Sequence, residues 1–171
     1  MRRSWRSATP SSSAALCSSA PTPARTLSSA HSSTSGAWLP EAAPSERAFY
    51  EAFFTWVYTP RAHDDGTVDQ IVEEALAFSN QQSVEAFQAQ VDVCLSHDTV
   101  NRLPQITAPT LVLAGERDVI LPPRFGRDVA DAIPNAAFDV LPGEAHQPFQ
   151  EVPDEFNARV DAFWRKVEGR D

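Results

Sequence analysis

Two short apolar runs separated by a single helix leave this chain few ways to fold. Thr110–Ala114 ("TLVLA") is a continuous apolar run, as expected of a strand covered on both faces. Ala136–Leu141 ("AAFDVL") is a second such run. Between them, "PPRFGRDVADAI" places Phe125, Val129 and Ile133 on one inward face, and its prolines are tolerated in a first helical turn. Strand, helix and strand in this order predict a parallel pair with a right-handed crossover, and so an α/β architecture. A last helix, "PDEFNARVDAFWRKV", carries Phe156, Val160, Phe163, Trp164 and Val167. Its acids come first and its bases last, which suits the helix dipole.

Upstream of this unit the chain reads as helical. "PSERAFYEAFFTWVYTP" has Ser45 as N-cap and a broad apolar face of Phe49, Tyr50, Phe53, Phe54, Trp56 and Val57, ended by Pro60. "GTVDQIVEEALAF" spaces Val68, Ile71, Val72, Ala75 and Leu76 at helical intervals. "QQSVEAFQAQVDVCLSHD" repeats the pattern with Val84, Phe87, Val91, Cys94 and Leu95, capped by Ser83. Three helices with aromatic faces are thus predicted ahead of the first strand. Helix packing accounts for those aromatics better than a cofactor box does.

The first 40 residues are of another kind. Ser, Ala, Thr and Pro dominate, four arginines are present and no acid is. No apolar period is sustained, so the segment cannot bury enough surface to offset the entropy of ordering it. A disordered tail, a transit peptide (Arg- and Ser-rich, poor in acids) and a reading-frame or start-site artefact all fit that composition. The abrupt change near Trp38–Glu41 favours the artefact. The expected organisation is therefore 1–40 low-complexity, 44–100 a helical segment and 101–168 the α/β unit.

Charge narrows the function classes. From Glu41 onward 23 acids face 10 bases, a net charge of −13. That argues against a nucleic-acid surface, which needs clustered Lys and Arg, and it suits simple solubility. The chain contains no apolar run of roughly 18 residues that would predict a membrane span. Cys17 and Cys94 form neither a disulfide framework nor a metal pattern. No cofactor or metal is called for, and a cytoplasmic protein is expected.

Chemistry concentrates at two strand ends. Asp118 follows the first strand and His146 follows the second, and sites in open α/β sheets form at the carboxyl ends of parallel strands. Neighbouring strands lie about 5 Å apart, so the two loops can meet. A carboxylate bonded to an imidazole sets its tautomer and stabilises the imidazolium, the rear half of a nucleophile–His–Asp relay. An Asp that only caps a turn and a histidine that is only part of a loop remain the plain alternative.

The same stretches resemble a known family. "RLPQITAPTLVLAGERDVILPP" and "FDVLPGEAHQPFQEVPDEFNARVDAFW" look like the C-terminal end of an α/β-hydrolase. In that family a strand after a Pro-Thr entry ends in Gly-x-x-Asp, the triad acid. A later Gly-x-x-His-x-x-x-x-Glu-x-Pro segment supplies the triad histidine. Gly115–Asp118 matches the first pattern; Gly143, His146, Glu151 and Pro153 match the second. The resemblance covers Asn101 to Val167, and the helices of Pro44–Asp98 resemble in position the helical cap of that family. It implies Asp118 as orienter, His146 as general base and then acid, and a small ester or lactone as substrate.

The resemblance also implies a nucleophile on a Gly-x-Ser-x-Gly elbow ahead of the acid. None of the six glycines flanks a serine in that spacing. The nearest imitation, "SSTSG" at Ser32–Gly36, has no strand before it. The His-Gly oxyanion motif and the earlier strands of the sheet are also missing. The expectation is an incomplete α/β-hydrolase fold: a cap-like helical segment followed by a two-strand parallel β-α-β-α unit. Such a chain would be truncated and inactive, with nucleophile none. The alternative is an interaction module. Its open sheet edge and aromatic helices would self-associate or bind a complementing N-terminal half.

Overall fold

The computed structural model describes residues 38–169; the readings made for residues 1–37 lie outside them. Five helices open the described chain: α1 (Leu39–Ala42), α2 (Glu46–Val57), α3 (Pro60–Asp64), α4 (Thr67–Ala77) and α5 (Val84–Ser96). A 3-10 turn (Val100–Gln105) leads into β1 (Thr110–Gly115). Then follow α6 (Pro123–Ala132), β2 (Ala136–Leu141), α7 (Pro148–Glu151) and α8 (Pro153–Val167). The strands pair in parallel, Thr110 opposite Ala136 through to Gly115 opposite Leu141, and α6 crosses between them. The protein is α/β, mostly helical, with a two-strand parallel sheet. Among the described residues no helix is long and apolar enough to cross a membrane.

Local chemistry sets most of the boundaries. The Ser45 hydroxyl accepts from the Ala48 amide at 3.1 Å and that of Ser83 from Ala86 at 3.2 Å, so both predicted caps satisfy an otherwise orphaned donor. The periodicity predicts three helices ahead of β1, where the described residues form five and a 3-10 turn. The difference centres on Thr59-Pro60. Here α2 ends at Val57, and Pro60 opens α3 with Thr59 as its N-cap. A proline cannot continue one helix, yet it is preset for the first turn of the next.

Two apolar clusters hold the described chain together. Val57, Tyr58, Ala62, Val68 and Val72 are buried between α2, α3 and α4, with Phe53, Phe54 and Ile71 against them. Full burial of a valine such as Val72 is worth roughly 1.5–3 kcal/mol. Leu103, Val129 and Ile133 form the second cluster with Val112 and Ala136, beneath the face of the sheet that α6 covers. Gly126 lets α6 lie close to the strands: a Cβ there would stand 2.9 Å from Phe138 Cε2 and 3.3 Å from Val112 Cγ1. Ile120, in the loop after β1, packs on the helical cluster. The loop that carries Asp118 is thereby anchored to the helices as well as to the sheet.

Candidate active site

Asp118 is delivered by a tight turn at the end of β1, where its amide donates to the Gly115 carbonyl at 3.2 Å. Its carboxylate is buried and both oxygens are engaged. Oδ1 accepts from the amides of Ile120 (2.9 Å) and Leu121 (2.8 Å). Oδ2 lies 2.8 Å from His146 Nδ1. The two amides hold the carboxyl plane so that Oδ2 faces the imidazole. An ionised carboxylate can only accept, so the geometry makes Nδ1 the protonated nitrogen and leaves the Nε2 lone pair for another donor. The His146 side chain is 28% exposed. Among the described residues Nε2 makes no hydrogen bond.

The loop that carries His146 is laced to the Asp118 turn beyond the last ladder residues. Glu116 N donates to Leu141 O at 3.0 Å, Arg117 N to Glu144 O at 2.8 Å, and Gly143 N to Glu116 Oε2 at 2.7 Å. Gly143 takes the left-handed conformation (φ 77°) that reverses the chain. Gly115 is required by proximity instead: a Cβ there would meet Ala145 O at 2.0 Å and Glu144 O at 2.6 Å. The first glycine of the Gly-x-x-Asp pattern is thus the point where the two loops touch backbone to backbone.

A second set of contacts joins the histidine loop to the α2–α3 corner. His146 N donates to Val57 O at 3.0 Å, and the Tyr58 hydroxyl donates to Gln150 Oε1. Thr59 N reaches both oxygens of Glu151 at 3.2 Å, and the Thr59 hydroxyl donates to Oε2. The Arg61 guanidinium grips Glu144 with two parallel bonds, 3.1 and 2.9 Å, and stands 3.7 Å from Glu151. The Glu151 side chain is fully buried and that of Glu144 nearly so. The Glu144 hydrogen bond raises the Arg61 pKa further. Burial, followed by the charge of Glu151, pushes the Tyr58 phenol up to about 12.

The structure brings together the predicted pair, Asp118 and His146. The sequence reading missed the corner that seats the histidine loop. Glu144 and Glu151 flank the histidine visibly enough, but their partners lie 83 and 92 residues earlier. A carboxylate that is buried leaves no periodic signal of its own. The four described serines do other work or lie apart from the pair. Ser45 and Ser83 cap helices, Ser96 donates to Asp92 O at 2.8 Å, and none of the four, Ser79 included, bonds to His146. Among the described residues no cluster of His, Cys, Asp or Glu could hold a metal ion. A cavity of about 340 Å³ runs beside α2, lined by Phe49, Tyr50, Phe53, Phe54 and Phe87 with Gln81 at its polar side.

Comparison with known proteins agrees with this architecture. No family model matches the chain. Over 70 residues the chain is 41% identical to the protein named as the non-heme bromoperoxidase BpoC of Mycobacterium tuberculosis, a match covering 39% of this chain and 27% of that one. It is 33% identical over 81 residues to the pimeloyl-[acyl-carrier protein] methyl ester esterase of Nitrosospira multiformis, covering 47% of this chain and 31% of the esterase. The crystal structure of BpoC superposes with a TM-score of 0.69 at 24% identity, over 82% of this chain and 53% of BpoC. That of MGS-M2, an alpha/beta hydrolase enzyme from a deep-sea metagenome library, gives 0.64 at 25% identity, over 77% and 50%. The chain is an α/β-hydrolase-fold protein that spans about half the length of the solved structures it matches.

Proposed function

We propose that this chain supplies the acid–base half of an acyl-hydrolase site for a small ester or lactone. The 2.8 Å contact between His146 Nδ1 and Asp118 Oδ2 carries this reading. His146 Nε2 takes the proton of an attacking hydroxyl as its oxygen bonds to the acyl carbon. The imidazolium, stabilised by Asp118, returns that proton to the departing alkoxide. A water molecule then repeats the cycle on the acyl intermediate and releases the acid. Helices α2–α5 act as the cap in this reading, and the aromatic cavity beside α2 suits an apolar acyl group.

The attacking hydroxyl comes from outside these 171 residues. No Gly-x-Ser-x-Gly sequence occurs among them, and no described serine bonds to His146. By itself the chain is therefore inactive. A second, compatible reading makes it the partner of an elbow-bearing polypeptide that adds to the open edge of β1. Within the described residues that strand pairs on one side only, with β2, and a strand edge is a template for further pairing.

Fluorophosphonate labelling tests both. The chain alone is expected to stay unlabelled. Mixed with an α/β-hydrolase fragment that carries its elbow, it is expected to promote labelling of the elbow serine. That labelling should be lost with His146→Ala and slowed about 10⁴-fold with Asp118→Asn. Labelling of a serine of the chain alone, dependent on His146, would overturn the inactive reading. A stable mixture whose labelling ignores His146 would overturn the relay.

A further inference from the structure

The proposed relay uses one of the three buried acids near the sheet ends, Asp118, and leaves the other two without a role. Glu144 and Glu151 stand two residues before and five after His146, and their side chains are 5% and 0% exposed. Carboxylates so far from water are unfavourable unless paired. Both face one cation, Arg61 (2.9 Å to Glu144, 3.7 Å to Glu151), whose own side chain is half exposed. Glu151 has hydrogen bonds from Thr59 besides. Among the described residues the Glu144 carboxylate bonds to Arg61 alone.

The backbone shows what depends on this pairing. The amide of His146 is bonded to Val57, the last residue of α2, and Arg61 lies four residues further on, in α3. Glu144 O meanwhile accepts from Arg117 N, beside Asp118. Residue 144 is therefore held on one side by the acid turn and on the other by Arg61. His146, two residues along, is placed between the same two supports.

We propose that Arg61 is a positioning residue for His146: by ion-pairing the two buried carboxylates that flank the histidine, it seats the 144–151 loop on the α2–α3 corner so that Nδ1 faces Asp118. Among the described residues Arg61 bonds to Glu144 and Glu151 and not to the imidazole. It acts through Glu144, whose charge it pairs at 2.9 Å, and through Glu151 at 3.7 Å, which Thr59 also holds. Without it, Glu144 draws toward water, the loop lifts, and the 2.8 Å contact is made only part of the time. This inference rests on the reading that Asp118 and His146 form the working pair.

The test follows the His146 Nδ1 proton by nuclear magnetic resonance in the full 171-residue chain with nitrogen-labelled histidine, assigned by its loss in His146→Gln. A carboxylate-bonded Nδ1 proton gives a protected, downfield signal. Arg61→Gln is expected to speed its exchange with water about tenfold. Arg61→Gln combined with Glu144→Gln removes the stranded charge and is expected to restore slow exchange. Arg47→Gln, which breaks a surface pair with Glu73, is expected to change nothing at His146. Unchanged exchange in Arg61→Gln, or no recovery in the double variant, would overturn the proposal. A missing His146 signal in the unaltered chain would instead overturn the Asp118–His146 pairing itself. Should Arg61→Gln also lose the dispersed methyl signals of the helical core, Arg61→Lys decides. It keeps the charge, so a retained His146 signal supports the proposal, and its loss over an intact core refutes it.

Discussion

The two segments that follow β2 are held in opposite ways. The histidine loop, residues 142–151, buries Glu144, Ala145 and Pro148 and is bonded to a corner more than 80 residues earlier in the chain. Helix α8, immediately after it, buries no residue. It is tied by Arg159 to Asp139 at 2.6 Å and by the edge-to-face contact of Phe149 with Phe156, and it leaves Trp164 and Val167 exposed. Yet α8 has the clearer apolar stripe in sequence. An apolar period shows that a helix has a face to cover. Whether that face is covered depends on what the rest of the assembly provides. Polar residues that read as loop, by contrast, make a closely bonded joint: Glu144 and Glu151 meet Arg61 and Thr59, and only Gln147 Oε1 is left buried without a partner among the described residues.

Substitutions can break this contrast, beginning where the seam is closest. Gly115→Ala forces a Cβ against the Ala145 carbonyl at 2.0 Å, and an intrusion on backbone cannot be relieved by a rotamer. A loss of about 3 kcal/mol is expected in chemical denaturation; a near-neutral result would mean the two loops do not touch in solution. Thr59→Val keeps the shape but deletes the hydroxyl that both caps α3 and donates to Glu151. About 1–2 kcal/mol should be lost, read from the shift in midpoint.

Tyr58 sharpens the comparison through pH. Its phenol is raised from 10.0 to about 12 by burial and by Glu151. The folded state therefore holds the proton more tightly than the unfolded chain does. The stabilisation is complete below pH 10 and is lost as pH rises toward about 12. Tyr58→Phe should flatten that alkaline fall, at a cost of about 1 kcal/mol at neutral pH for the lost bond to Gln150, as followed by unfolding at a series of pH values. The smallest effect is expected in α8. Trp164→Gln on its exposed face should stay within about 0.5 kcal/mol. A larger loss that depends on protein concentration would show that a second molecule covers that face and would erase the contrast.

Much of the site was legible. A continuous apolar run, a helix and another run predicted the parallel pair, and an Asp and a His just past the two strand ends predicted the meeting of Asp118 and His146. Strand geometry makes such inferences safe, because parallel neighbours present their carboxyl ends side by side. The α2–α3 corner was not legible. Pro60 reads as a helix stop, and only the folded chain shows it starting α3 with Arg61 in reach of Glu144. Nor does the matched stripe of Val68 and Val72 in α4 differ in kind from that of Phe87 and Val91 in α5. The first is buried, whereas α5 has no buried residue.

The sequence by itself determined the two strands, the helix between them, the last helix, two of the serine caps and which acid and histidine follow the strand ends, since these follow from local spacing, propensity and strand polarity. It also determined that no Gly-x-Ser-x-Gly elbow is present in these 171 residues. Only the tertiary structure decided that Glu144 and Glu151 would be buried, that one arginine would face both, and that the histidine loop would rest on the end of α2. Those choices depend on contacts between segments far apart in the chain. The low local dielectric that makes such contacts strong exists only after the segments have come together.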